Sequence, residues 1–200
     1  MPEEPEPDAA LAEPDDLVAT FTREAVAVGA VVHGPLPQGE VTERVATILR
    51  SVGAHTLLAW DAAELSVPGI REELAAAGFE IMDSRLPKDR VGRTERLLQL
   101  GGAEAGLTSA DAGLAGTGTL VLASGPGRPR LACLLPPVHL AILPVGRLAP
   151  GLTHFLAKGD VARTPASVVL VSGPSRTGDI ELTLTQGMHG PREVHVVLVG

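Results

Sequence analysis

Residues 168–199, VVLVSGPSRTGDIELTLTQGMHGPREVHVVLV, hold the densest set of side chains able to do chemistry. An apolar run, Val168–Val171, leads into Ser172-Gly173-Pro174, where glycine and proline force a sharp turn. Ser175, Arg176 and Thr177 follow, supplying two hydroxyls, a guanidinium and several backbone N–H groups. A planar guanidinium can clamp a carboxylate or phosphate through two parallel N–H bonds. The spacing is read as a helix over residues 179–186, whose first free N–H groups would add to an anion site. Asp179 and Glu181 offer carboxylates for acid–base work. The competing reading makes Asp179 a first-turn cap and Glu181 a solvent-facing or arginine-paired acid. His189, in the return turn Gly187–Pro191, can act as a general acid or base or bind substrate. A lone loop histidine also occurs with no such role. His189, Asp179 and Glu181 are therefore the catalytic candidates, and Ser175, Arg176 and Thr177 the anion-binding ones.

A second segment, residues 112–143, carries glycines at 116, 118, 125 and 127 with hydroxyls at Thr117 and Thr119. Glycine permits left-handed backbone or close approach to a ligand. Thr117, Gly118 and Thr119 join the binding candidates, with tight-turn geometry as the alternative. No G-x-G-x-x-G lies between a strand and a helix, and no Walker loop is present. His139, after Pro136-Pro137, stands at the mouth of an apolar strand, either as a ligand-facing group or as a core histidine. The six histidines show no H-E-x-x-H spacing, so no metal site is expected. No nucleophile elbow and no recognisably spaced carboxylate pair appears. Cys133 lies in an apolar run and reads as buried and inert.

The elements that must position these groups are legible from periodicity. Asp15 or Asp16 is expected to cap a helix reaching about Val32, with a second helix over residues 39–52. A strand at 55–60, a helix opened by Pro68 and a strand at 79–82 form a β-α-β unit, the signal of a parallel sheet. Arg85, Lys88, Arg90, Arg93 and Arg96 surround a helix ending near Gly101-Gly102; Asp89 and Glu95 interleave, which favours a solvated face over a phosphate patch. Four short apolar runs, 119–123, 138–143, 168–171 and 194–199, read as buried strands. A helix is expected near residues 151–158. The fold class is α/β, with a mixed, largely parallel sheet flanked by helices.

The net charge of −8 is concentrated in the tail. Residues 1–16 hold seven acids and no base, leaving 17 acids against 16 bases, so the body is nearly neutral and does not suit a polyanion. That tail, rich in proline and acid, is expected to be disordered, with one domain over 17–200. Four aromatic rings, Phe21, Trp60, Phe79 and Phe155, are too few for a base-stacking surface. The single cysteine excludes an internal disulfide and a Cys-ligated iron–sulfur cluster. No apolar run reaches membrane-spanning length and the start is acidic, so a cytoplasmic location is expected.

Three blocks together resemble the lactate-utilisation protein C family, which carries the LUD domain. They are TSADAGLAGTGTLVL (Thr108–Leu122), LLPPVHLAIL (Leu134–Leu143) and SGPSRTGDIELTLTQGMHGPREVHVVLV (Ser172–Val199). GPSRT-x-DIE followed by G-x-HGP is the most specific of them, and the match runs over about residues 16–200. The resemblance implies a fold similar to the NagB/RpiA/CoA-transferase-like superfamily. It also implies an accessory role, with an anion-binding pocket, in bacterial oxidation of L-lactate to pyruvate. No cofactor is expected in this chain; the iron–sulfur clusters are expected in two partner subunits. Members of the family commonly carry an acid before the glycine–threonine pair, where this chain has Gly116. The alternative is a stand-alone enzyme or sensor acting on a small carboxylate, sugar phosphate or CoA ester, with Glu104 or Glu181 as the nucleophile that CoA transfer requires.

Overall fold

The computed structural model describes residues 14–157, 165–178, 184–186 and 190–200. In chain order its principal elements are α1 (Pro14–Ala27), β1 (Val31–Leu36), α2 (Val41–Ser51), β2 (Thr56–Ala59), α3 (Ile70–Ala76), β3 (Glu80–Met82) and α4 (Arg90–Leu100). Then come β4 (Ala105–Ser109), β5 (Ala112–Leu114), β6 (Thr119–Ser124), α5 (Leu131–Leu134), β7 (Val138–Pro144), β8 (Leu148–Ala149) and α6 (Leu152–Ala157). The chain closes with β9 (Ser167–Val171), β10 (Arg176–Gly178), β11 (Leu184–Gln186) and β12 (Glu193–Val199).

A six-stranded sheet in the order β1-β12-β7-β4-β2-β3 is the centre of the molecule, and every pairing in it is parallel. The expected α/β architecture and the β2-α3-β3 unit are both present. Burial on both faces explains the nearly continuous apolar runs 138–143 and 194–199 in β7 and β12, each broken by one histidine. A second sheet, β8-β5-β6-β9, branches from the end of β4 and packs back through α1. Its inner face meets the main sheet at Gly113, where a Cβ would crowd Leu143, Leu148 and Phe21.

Two expectations are corrected. The first helix stops at Ala27 rather than near Val32, because Gly29 takes φ 95° and its N–H turns back to the Val26 carbonyl. The chain it releases opens with the β-branched pair Val31-Val32 and forms an edge strand. The helix expected over 179–186 is likewise absent from its described portion: β10 and β11 pair antiparallel, Arg176 opposite Gln186. Residues 180–185, Ile-Glu-Leu-Thr-Leu-Thr, alternate with period two, the strand signal that the helical reading passed over. The expectation of a disordered tail falls on residues 1–13, outside the described residues, and on 14–16, which open α1. Among the described residues no helix is long and apolar enough to cross a membrane.

Glycine matters most at Gly106 in β4. A Cβ there would lie well inside contact distance of the Ala132 carbonyl oxygen in α5 and 3.4 Å from Pro136 Cγ. That close approach seats α5 directly on the sheet. Gly106→Ala should therefore destabilise by roughly 2–3 kcal/mol in chemical denaturation, since backbone rather than a flexible side chain must move. Gly39→Ala, whose Cβ would meet nothing within 4 Å, should be neutral or slightly stabilising.

His139, fully buried in β7, has its Nε2 bonded to Thr108 Oγ1 at 2.9 Å, and burial holds its pKa down to about 4 from 6.5. The unfolded chain thus binds a proton that the folded chain refuses, and stability is lost as pH falls through 6.5 toward 4. His139 alone should make the protein roughly 2.5 kcal/mol less stable at about pH 4.5 than at about pH 7.5. Urea melts at the two pH values check this: His139→Asn should flatten the difference, and an unchanged difference would place the acid sensitivity elsewhere.

Candidate functional site

The strand order marks a place for a ligand. From β2 the chain turns outward through α3 to the edge strand β3, whereas from β4 it leads the opposite way, to β7 and then β12. The neighbours β2 and β4 thus part company at their carboxyl ends, the position where open parallel sheets form a crevice.

Each of those strands delivers an acid one residue beyond its last pair of apolar or small residues: Asp61 after Ala59-Trp60, and Asp111 after Ser109-Ala110. Arg128 reaches over both connections. Its Nε donates to Glu64 at 2.6 Å, its Nη1 to Asp111 at 2.6 Å, and its guanidinium lies 5.2 Å from the centre of the Trp60 ring. Asp111 Oδ2 also accepts the Ala123 N–H at 2.7 Å. The 125–130 loop is tied down by backbone as well: the Asp61 N–H donates to Gly127 O at 2.8 Å and Trp60 Nε1 to Pro129 O at 3.3 Å. Three half-buried charges satisfying one another in this way hold the loop across the crevice.

Beside this network, past the ends of β2 and β3, an open pocket of about 360 Å³ remains. It is lined by Ala59, Ile81 and Met82 together with Asp61, Arg71, Asp83, Ser84 and Arg85. Arg71 donates from Nη1 to Trp60 O at 2.9 Å and lies 3.5 Å from Asp61 Oδ1. Arg85 pairs with Asp83 at 2.7 Å. The Arg85 side-chain and backbone N–H groups hold the Asp83 carboxyl down to about 2.

The residues singled out from sequence lie elsewhere. Thr117 Oγ1 donates to Thr119 Oγ1 at 2.8 Å, and Thr119 Oγ1 bonds Ser172 Oγ at 2.8 Å, so the two Gly/Thr/Ser loops do meet. Gly118, at φ 60°, presses against the backbone of α1 at Ala25, which makes it a packing glycine. The Ser175 N–H donates to Pro191 O at 2.8 Å, just before β12. Arg176 and Thr177 lie on β10. Asp179, Glu181 and His189 lie outside the described residues. His139 belongs to the core, apart from the hydroxyl chain. Strand β6, five steps or roughly 17 Å long, separates Thr119 from the Arg128 network.

Three further readings are settled by geometry. Cys133 is buried and donates to Arg130 O, and burial pushes its thiol up to about 11, away from reactivity. Glu104, a candidate for CoA chemistry, accepts the His55 and Thr56 N–H groups at 2.6 and 2.9 Å, which lower its pKa and hold it as a strand-end brace. Gly116 donates its N–H to Pro150 O at 2.9 Å, and a Cβ there would sit 3.1 Å from that oxygen, so the family's acid would fit tightly. The acids of the crevice went unnoticed in the sequence; the available signal was an aspartate two residues past each buried strand, in A-W-D and S-A-D.

Comparison with known proteins places these features in a family. Lactate utilization protein C of Shouchella clausii is 29% identical over 192 residues, covering 92% of this chain and 80% of that protein. The protein of the same name from Halalkalibacterium halodurans is 29% identical over 176 residues, 84% of this chain and 74% of that protein. A crystal structure of a DUF162 family protein from Deinococcus radiodurans superposes with a TM-score of 0.67, covering 95% of this chain and all of that one at 16% identity, which establishes a shared fold. The LUD domain family model matches residues 18–199, and the chain belongs to the LUD domain family.

Proposed function

We propose that this LUD domain protein is an accessory subunit of a bacterial system oxidising L-lactate to pyruvate, in the cytoplasm, and that it binds a small anion. One observation carries the reading: similarity over 92% of the chain to a protein named lactate utilization protein C. Chemistry supports a division of labour. Oxidising lactate requires an electron acceptor, and a Cys-ligated iron–sulfur cluster needs four thiolates where this chain has one cysteine, buried. In this reading, as the family resemblance implies, the clusters reside in partner subunits, and this chain contributes binding and docking surface; the single cysteine fits that division. Its domain spans residues 17–200, with the acidic segment 1–16 outside it.

In this reading the anion sits where the two hydroxyl-bearing loops join, at Thr117, Thr119 and Ser175, with Gly118 holding the turn against α1 and Arg176 and Thr177 contributed by β10. Asp179, Glu181 and His189 supply acid–base groups if turnover occurs on this chain. The hydroxyl chain from Thr117 through Thr119 to Ser172 supports the junction as a polar corner able to reorient its protons toward an acceptor.

Affinity capture of the tagged protein from its native cells grown on L-lactate, read by mass spectrometry, tests the role. Stoichiometric recovery of cysteine-rich iron–sulfur subunits is expected. Recovery of the chain alone after gentle crosslinking would overturn it. For the pocket, Arg176→Ala should abolish the thermal stabilisation that small anions give the wild type; undiminished stabilisation by every such anion would remove Arg176 from the site.

A further inference from the structure

We propose that the acidic N-terminal segment, residues 1–13, docks on the outer face of α4 in its own chain. The inference comes from the exposure and charge of α4 and does not rest on the accessory-subunit reading.

α4 is left uncovered by the described residues. Of its eleven residues, Leu100 alone is buried. A surface helix ordinarily turns its apolar residues toward the core. Here Val91 and Leu98 are 69% and 76% exposed. Val91, Thr94 and Leu98 stand three and four residues apart and so form one stripe along the helix. Leu100 follows Leu98 by two residues, about 200° of turn, which puts that stripe on the side away from the core.

The charges that interleave in the sequence separate on the helix. Arg90 and Arg93 share one flank of the stripe, with Lys88 just ahead of them, and Glu95 falls on the other flank. Asp89 is committed to the helix start, where it accepts the Gly92 N–H at 2.8 Å. The side chains of Lys88, Arg90 and Arg93 make no ion pair or hydrogen bond among the described residues. The surface on offer is an apolar stripe edged by cations.

Residues 1–13, MPEEPEPDAALAE, complement it. They hold five acids and no base, and the first seven alternate Met1, Pro2, Pro5 and Pro7 with Glu3, Glu4 and Glu6. Proline fixes φ, so such a segment gives up little backbone entropy on docking. The prolines would lie along Val91 and Leu98 and the glutamates would meet Arg90, Arg93 and Lys88. Reach is sufficient. The segment joins the fold at Pro14, and α1 packs on β1 at one edge of the main sheet, whereas α4 follows β3 at the other. Five strand spacings, roughly 24 Å, separate those edges, and Glu6 to Glu3 lie about 26–36 Å of chain beyond Pro14. A tether of this kind supplies about a millimolar effective concentration, so even a contact of millimolar Kd is occupied about half the time. An antiparallel second copy of α4 would instead lay the Arg90–Arg93 flank beside its twin, like charge against like.

The test is paramagnetic relaxation in the full chain, with a nitroxide on Pro2→Cys. Cys133 is buried with its thiol pushed up to about 11, so the label goes to the new cysteine. At low salt the amides of residues 90–98 are expected to lose about half their intensity or more relative to the reduced label. Sodium chloride at about 0.5 M should restore them, because exposed charges are then screened. The double variant Arg90→Glu/Arg93→Glu, at two exposed positions, should abolish the effect with an unchanged far-ultraviolet dichroism spectrum, and Arg50→Glu on α2 should leave it in place. Four results overturn the assignment: no broadening at 90–98 in low salt, broadening that survives the double variant, equal loss with Arg50→Glu, or broadening seen only when labelled and isotope-enriched chains are mixed, the mark of a second copy's segment.

Discussion

The sheet depends on its last strand. β12 lies between β1 and β7, in register with β7 along seven consecutive residues from Glu193 opposite Val138 to Val199 opposite Pro144. It also joins β1, Val31 opposite His195, across more than 160 residues of sequence. Until that strand arrives, β1 has no partner in the sheet and α2 lacks one of the strands it packs on. Such non-local pairing brings a large loop-closure cost, met here by an almost wholly buried apolar strand, Val194 through Leu198. The same insertion creates the stacked His33–His195 pair, with ring nitrogens 3.1 Å apart and Glu193 completing the row. Burial, His195 and Arg44 hold His33 down to about 4, so the row stays neutral at His33 at ordinary pH.

Once the sheet is assembled, its strand order does the rest of the positioning. The divergence of β2 and β4 places Asp61 and Asp111 at neighbouring strand ends, and the returning β6 lays Arg128 over them. A paired guanidinium stacked on Trp60 makes the loop carrying it part of the frame, and that frame fixes the Trp60 carbonyl which orients Arg71. The pocket at β2 and β3 lies beside this satisfied charge network and meets it at Trp60 and Asp61. At the other end of β6, the Thr117–Thr119–Ser172 chain joins two loops distant in sequence at the corner between the sheets. The molecule thus has two polar surfaces separated by the length of a strand.

Much of this was legible from residues alone. Apolar runs too short for helices located β6, β7, β9 and β12, and the β2-α3-β3 unit announced a parallel sheet. Family identity was legible in three blocks, because they combine glycine, proline and polar residues at spacings that chance rarely reproduces. Local errors came where one signal masked another. Gly29 ended α1 inside an apolar stripe that continued past it, and residues 180–185 alternated with period two behind acids that resembled a helix start. The short strands β4, β5 and β8 carry glycine, alanine or only two residues, so no periodicity was available to show them.

What the sequence determined by itself was chemical inventory: an α/β core without aromatic surface, a nearly neutral body, and a lone thiol that rules out a self-contained iron–sulfur centre. Tertiary structure alone decided proximity. His139 is a core residue because two strands flank it, Glu104 braces a strand end because two N–H groups face it, and Arg71 meets Asp61 because β2 and α3 converge there. Composition and spacing act along the chain within a few residues, whereas these roles arise from contacts between segments tens of residues apart, whose arrangement is set by strand order.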